Sequence, residues 1–202
     1  MIKKRKNYKR DTEFLFEVGC FRHLSRSWKR FLNSDVANNT EHTLRVIWIA
    51  LFLAEREGVE NVEKVLKMAL LHDVGESRTG DVDYLSRQYT ERKEDEAISD
   101  IFGGTSLEQE FRVLWDEYAE RKNIESQIVK DADNLDVEFE LAEQRACGHS
   151  MGSVWQERRK KSVYPKLFTQ SAREIWNAVQ KSDVHDWHLN ARNRFQDGDW
   201  KK

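Results

Sequence analysis

A chain of 202 residues that contains one proline, Pro165, and nine glycines offers few points at which a regular helix must stop. No segment alternates apolar and polar residues for more than a few positions, so strands are disfavoured and the chain is predicted to be all-α. Residues 11 to 21 carry Phe14, Leu15, Val18 and Phe21 at three- and four-residue spacing, the pattern of an amphipathic helix. Residues 22 to 39 are less regular and include a loop. Thr40 is placed to cap a helix reaching residue 57, apolar nearly all round from Leu44 to Leu53 and stopped by Gly58. This is the expected central buried helix. The next runs from Asn61 to His72-Asp73, with Val62, Val65, Leu66, Ala69 and Leu70 toward the core. After a loop over 82–90, a charged helix from 91 to 102 ends at Gly103-Gly104. The Thr105-x-x-Glu108 pattern reads as a capping box for a helix reaching 121, and Ser126 opens one reaching 147. Pro165 is placed to start a last helix with Leu167, Phe168, Ala172, Ile175, Trp176 and Val179 on its apolar face. Beyond 182 the chain reads as turn-rich.

The length suits one domain, and the 39% apolar content is enough to build its core. Lys plus Arg (34) nearly cancels Asp plus Glu (36), so no global field recruits nucleic acid or membrane, and neither is expected as a partner. Lys3, Lys4, Arg5, Lys6, Lys9 and Arg10 make a basic arm over 1–10, expected to be solvated. Behind it Phe14-Leu15-Phe16 is broken by Glu17 and is too short for the apolar part of a signal peptide. The longest apolar run, 46–54, has nine residues, whereas a bilayer-spanning helix needs about 20. Cys20 and Cys147 lack C-x-x-C spacing, so neither a disulfide framework nor a thiolate zinc site is indicated. A reducing, cytoplasmic setting is expected.

The chemistry concentrates in Met68-Ala69-Leu70-Leu71-His72-Asp73-Val74-Gly75-Glu76, followed by Gly80-Asp81. With six His and fifteen Asp in 202 residues, about half a His-Asp pair arises by chance, so the pair alone carries little. His185-Asp186 serves as an internal control: four residues after its His stands Leu189. Four residues after His72 stands Glu76, which would lie one helical turn on and point at a water held by an ion bound to His72 and Asp73.

An apolar helix ending in His72-Asp73-x-x-Glu76 resembles the HD-domain metal-dependent phosphohydrolases. The resemblance covers about residues 12 to 145 and implies a single HD-domain helical bundle over 11–147, with a helical C-terminal extension over 148–202 packing on the same domain. It also implies an upstream His and a downstream Asp as further ligands. Glu41-His42, opening the central helix, matches the family's first-ligand dipeptide. For the last ligand, Asp131, Asp133 and Asp136 compete. Asp133 sits on an apolar ridge of Val129, Val137 and Leu141, where an unpaired carboxylate is costly and a metal removes the cost. Asp131 and Asp136 have polar neighbours and are expected to reach solvent. The family's Lys followed three residues on by Asp also aligns Lys130 with Asp133. His23, His149, His185 and His188 are read as structural or solvated.

His42, His72, Asp73 and Asp133 would form a mixed imidazole and carboxylate set for one divalent ion, Mn, Co, Fe, Ni, Zn or Mg, the imidazoles favouring a transition metal. Glu76, a carboxylate left off the ion, would orient or deprotonate the attacking water. The resemblance narrows to nucleoside 5'-monophosphatases, the 5'-deoxynucleotidase group. It implies that Arg26 grips phosphate, Trp28 walls the sugar or base, and Asp81 binds the sugar hydroxyl of a small-molecule nucleotide. A homodimer is expected from the same resemblance. Hydrolysis of a guanosine polyphosphate or cyclic nucleotide, or a non-catalytic nucleotide-sensing module, are the alternatives. Lys93 and the run Arg158-Arg159-Lys160-Lys161 are expected on solvated faces.

Overall fold

The computed structural model describes residues 8–32 and 35–190. Eleven α-helices follow one another among these residues: α1 (Tyr8–Gly19), α2 (Lys29–Leu32), α3 (Asn39–Arg56), α4 (Val62–Leu71), α5 (Glu76–Thr79), α6 (Glu94–Phe102), α7 (Glu108–Glu120), α8 (Ile124–Ala146), α9 (Ser150–Ser162), α10 (Gln170–Val179) and α11 (Asp186–Leu189). No strand occurs among the described residues, and one isolated antiparallel bridge ties Ser25 to Asn38. The all-α expectation therefore holds. Lys3, Lys4, Arg5 and Lys6 of the basic arm lie outside the described residues. Arg10 is not part of a solvated arm: it lies in α1, and its Nε donates to the Gly103 carbonyl at 3.0 Å.

The centre of the bundle is α3 packed against α8 and α4. Asn38, not Thr40, caps α3: its side chain accepts the Thr40 and Glu41 amides, while the Glu41 carboxylate accepts the Asn38 amide. From that start His42, Val46, Ile49, Ala50 and Leu53 recur at helical spacing and are buried. A fully buried aliphatic side chain of this kind contributes about 1.5–3 kcal/mol. The helix is not buried all round. Leu44, Trp48 and Phe52, four residues apart, are 58%, 56% and 61% exposed and form a continuous outer stripe. In α4, likewise, Val65, Met68, Ala69 and Leu71 are buried, and Leu70 turns outward. Asn123, rather than Ser126, caps α8 by accepting the Ser126 amide. The Thr105 box does not form: Thr105 Oγ1 donates to the Phe102 carbonyl and α7 starts at Glu108.

The tail holds a helix that sequence periodicity did not show, α9, because part of its burial is made by a charged residue. Arg159 is not a surface residue; its Nε donates to the buried Glu138 at 2.6 Å and its Nη2 to the Asn134 carbonyl at 2.7 Å, both on α8. Asp131 also differs from expectation. It is fully buried, and its carboxylate accepts the amides of Phe168 and Thr169 and the Thr169 hydroxyl at 2.8 to 2.9 Å. Thr169 in turn caps α10, so Asp131 clasps the start of α10 to α8. Burial raises the Asp131 pKa, and these three donors pull it part of the way back. Asp131→Ala leaves the buried Thr169 amide and the part-buried Phe168 amide without their acceptor, and is expected to destabilise the fold by about 1–3 kcal/mol in urea unfolding without changing metal content.

Candidate metal centre

The first side chain of the site is placed by the α3 cap, which starts the helix so that His42 faces α8 and is 1% exposed. The second comes from the end of α4, where the chain leaves the helix at His72 and turns through Asp73 to Gly75 into α5. The third lies on α8. His42, His72 and Asp133 present ligand atoms within 4.8 Å of one another. Asp73 joins them, its Oδ2 3.4 Å from His42 Nε2 and 3.3 Å from His72 Nε2. The same oxygen accepts Arg26 Nη1 at 3.0 Å.

The donor set fits a cation on its own geometry. His72 Nδ1 donates to the Ala69 carbonyl at 2.7 Å and His42 Nδ1 lies 2.5 Å from Asp136 Oδ2, so both rings turn Nε2 to the same point. Those two Nε2 atoms are 3.2 Å apart. Two imidazole lone pairs at that distance repel unless a proton or an ion lies between them. Burial opposes protonation of His42, yet Asp133, Asp136 and Asp73 together push its pKa well above the ordinary value. Burial likewise raises Asp73 and Asp133, and is outweighed: His72, His42 and Arg26 hold Asp73 far down, Lys130 and His42 hold Asp133 down. The cluster is thus two carboxylates kept ionised around two imidazoles, the charge pattern a divalent ion neutralises.

Asp136 was expected to reach solvent; instead it is 5% exposed and orients His42. An acid three residues after Asp133 on the same helix was a readable signal, since i and i+3 share a side. Asp136→Asn keeps the size and weakens the hold on the ring, and is expected to lower metal affinity about 10- to 100-fold in a chelator titration.

Glu76 begins α5 and is 6% exposed. Its Oε2 accepts Asn39 Nδ2 at 2.7 Å and its Oε1 accepts Arg92 Nη1 at 3.1 Å. Burial, together with the charges of Asp73 and Asp81, pushes its pKa up to about 8; a cation at the adjacent histidines would pull it back down. Asn39 and Arg92 carried no sequence signal as partners of Glu76, because they meet it only in three dimensions. Gly80, at φ 74°, turns the chain after α5 so that Asp81 Oδ2 accepts the Ser27 amide at 2.8 Å, with Arg26 Nε 3.7 Å away.

Two connected cavities open beside the cluster. A small one of about 140 Å³ is lined by Arg26, Asp73, Glu76, Tyr118, Arg121 and Asp133, among others. A larger cleft of about 630 Å³ shares Arg26, Asp81, Arg87, Lys130 and Asp133 with it and adds an aromatic side of Trp28, Phe31, Tyr84 and Trp155. Trp28 meets Trp155 of α9 edge-on at 5.1 Å, and Tyr84 meets Trp155 at 5.1 Å. Lys93 remains exposed, paired with Glu96 at 3.1 Å. His23, His149, His185 and His188 do not join the cluster of ligand atoms; His149 bonds the Leu32 carbonyl and His185 faces His188 at 3.2 Å.

Fold and donor set define the class: a helical protein built around a mixed imidazole and carboxylate metal centre. The HD-domain family profile matches residues 18–176. The chain therefore belongs to the HD-domain family, as the His72-Asp73 motif implied. Among curated proteins it is 29% identical over 131 residues to the 5'-deoxynucleotidase HDDC2 of Danio rerio, covering 62% of this chain and 64% of that one, just under two thirds of the relative's length. It is 30% identical over 162 residues to the 5'-deoxynucleotidase ECA3034 of Pectobacterium atrosepticum, covering 71% and 81%. Among solved structures, a conserved hypothetical protein of Pyrococcus furiosus superposes with a TM-score of 0.68 at 27% identity, covering 85% of this chain and 99% of that one. A protein of Magnetospirillum magnetotacticum described as a predicted metal-dependent phosphohydrolase shares the fold, with a TM-score of 0.67 at 20% identity and coverage of 88% and 97%. No helix among the described residues is long and apolar enough to cross a membrane.

Proposed function

We propose that this protein is a metal-dependent phosphomonoesterase that hydrolyses deoxynucleoside or nucleoside 5'-monophosphates to nucleoside and phosphate. The observation that carries the reading is Glu76, a buried carboxylate fixed by Asn39 and Arg92 in the same cavity as the ligand atoms but not among them. A pure binding module gains nothing from a carboxylate held there. The curated relatives quoted above, named 5'-deoxynucleotidases, support the substrate class.

His42, His72, Asp73 and Asp133 would hold the ion, which supplies Lewis-acid charge on a phosphoryl oxygen and lowers the pKa of water. Each Glu76 oxygen accepts one hydrogen bond and keeps a lone pair, so Glu76 can orient the attacking water and accept its proton. Arg26 is turned by Asp73 and Asp81 toward the phosphate side of the cleft. Asp81, which lines the cleft, is the acceptor for a sugar hydroxyl, and Trp28 with Trp155 offers an apolar wall to sugar or base. In this reading α9 is part of the site, so residues after 147 extend the catalytic domain rather than forming a separate unit.

The test is to strip the protein, add back Mn, Co, Fe, Ni, Zn or Mg singly, and measure free phosphate from a panel of ribo- and deoxyribonucleoside 5'-monophosphates. Nucleoside plus phosphate is the expected product pair. No release from any monophosphate with any ion overturns the reading, and it is replaced by phosphate or pyrophosphate release only from a guanosine polyphosphate, or by conversion of a cyclic nucleotide to its monophosphate without free phosphate.

We further propose a homodimer, supported by the outward stripe of Leu44, Trp48 and Phe52 on α3. Light scattering is expected to give twice the chain mass, and Trp48→Glu to shift it toward one chain mass of 24.0 kDa. A concentration-independent mass near one chain for the wild type overturns it.

A further inference from the structure

Among the described residues Arg121 is the one non-glycine with a positive φ, at 56°. It stands directly after α7, at the left-handed position where helices commonly place glycine because a Cβ is strained there. Such strain persists where the side chain it directs has a task. Here the backbone turns the guanidinium back over the Tyr118 ring, its Cζ 3.3 Å from the centroid. Tyr118 in turn meets the His72 ring edge-on at 6.4 Å, so the cation is carried toward the metal centre on an aromatic platform.

The other cations of the small cavity are engaged. Arg26 pairs with Asp73, Arg92 with Glu76 and Glu94, and Lys130 with Asp133 at 2.7 Å, while Arg87 Nε donates to the Val82 carbonyl at 2.7 Å on the exposed rim. Arg121 makes no ion pair with a carboxylate among the described residues, and its Nη1 is buried without a hydrogen-bond partner. The cavity lining carries as many carboxylates as cationic side chains, so a divalent ion brings an excess of two positive charges. A phosphomonoester dianion is the ligand that balances it.

Resting on the proposed function, we infer that Arg121 is a phosphate-binding residue, its guanidinium donating to non-bridging oxygens of the substrate phosphoryl group opposite the metal ligands. Planar guanidinium forks suit that geometry, and a charge-assisted pair in a desolvated cavity is among the stronger hydrogen bonds. The grip applies to substrate and to product phosphate alike, so it acts on KM more than on kcat.

The test uses the full chain loaded with its most activating ion, as wild type, Arg121→Gly and Arg121→Lys, with inorganic phosphate and the best monophosphate as probes. Arg121→Gly is expected to raise KM and the phosphate inhibition constant about 10- to 100-fold, with kcat changed far less, and lysine to recover part of the loss. Because glycine relieves the backbone, the Arg121→Gly protein is expected to melt at or above the wild-type temperature while its phosphate-induced melting shift disappears. A lower melting temperature with phosphate affinity and KM within twofold of wild type would mean that Arg121 only props Tyr118, and overturns the inference. Should the wild type hydrolyse no monophosphate, the proposed function falls on its own; the phosphate-induced shift then decides Arg121, and a wild type that phosphate does not stabilise overturns it.

Discussion

Glu76→Gln is expected to keep its metal and lose about 10²- to 10⁴-fold in kcat, the range a positioned general base contributes. The substitution is nearly isosteric. Arg92 keeps an acceptor, and Asn39, whose Oδ1 is buried without a partner, can turn its amide to accept from the new donor. Only the capacity to take a proton is removed. Stability provides a second readout in metal-stripped protein. The folded state holds the Glu76 proton until about pH 8, against 4.5 for the ordinary group. The native state therefore binds more protons across that window, and wild-type stability falls as pH rises through it; the glutamine variant lacks this component of the slope. Metal analysis, phosphate release and melts at two pH values would check all three points. Loss of metal together with turnover would move Glu76 from proton acceptor to ligand.

Asp133→Ala is expected to abolish metal binding and activity together. It removes one of three mutually close ligand atoms and leaves Lys130 facing the cluster without its carboxylate. The metal-free variant need not be less stable, since a buried carboxylate carries its own desolvation cost. The ion reveals the difference: at 100 times its dissociation constant it stabilises wild type by about 2.7 kcal/mol through mass action. That gain should nearly vanish in Asp133→Ala, shrink in Asp136→Asn, and persist in Asp131→Ala. Equal metal-induced melting shifts in wild type and Asp133→Ala would remove Asp133 from the ligand set.

The helical architecture was legible from local pattern. Of the candidate ligands that the structure brings together, His72 and Asp73 stood out with Glu76 within a turn and Asp133 by interrupting an apolar ridge, while His42 came from the family resemblance. What was not legible depends on partners distant in sequence. Asp136 read as solvated because its helical neighbours are polar, yet its environment is set by His42, 94 positions away. Arg159 read as one of four surface cations, and its burial is decided by Glu138 on another helix. Arg92 and Arg121 reach the cavity from a loop and a helix end, and Asn39 reaches Glu76 from the first residue of α3, where side-chain direction follows backbone conformation rather than period. Central helix α3 was misjudged in the other direction: apolar residues on every side suggested full burial, and one side faces out.

Three acids of α8 each answer to different atoms: Asp131 to the start of α10, Asp133 to the Nε2 side of the imidazoles, Asp136 to His42 Nδ1 and Arg45. A helix advances about 100° per residue, so inserting or deleting one residue between Asp131 and Asp136 would rotate everything beyond it away from its neighbour. No compensating shift restores all three contacts, because the tail clasp and the ligand face lie on opposite sides of the same rod. Across variants of this chain, then, length should be frozen between 131 and 136 even where identity drifts, and insertions should accumulate instead in turns away from the cavities, such as that around 103–107. A library of single-codon insertions scored for folding and activity would show that map directly, with α8 as its longest silent gap.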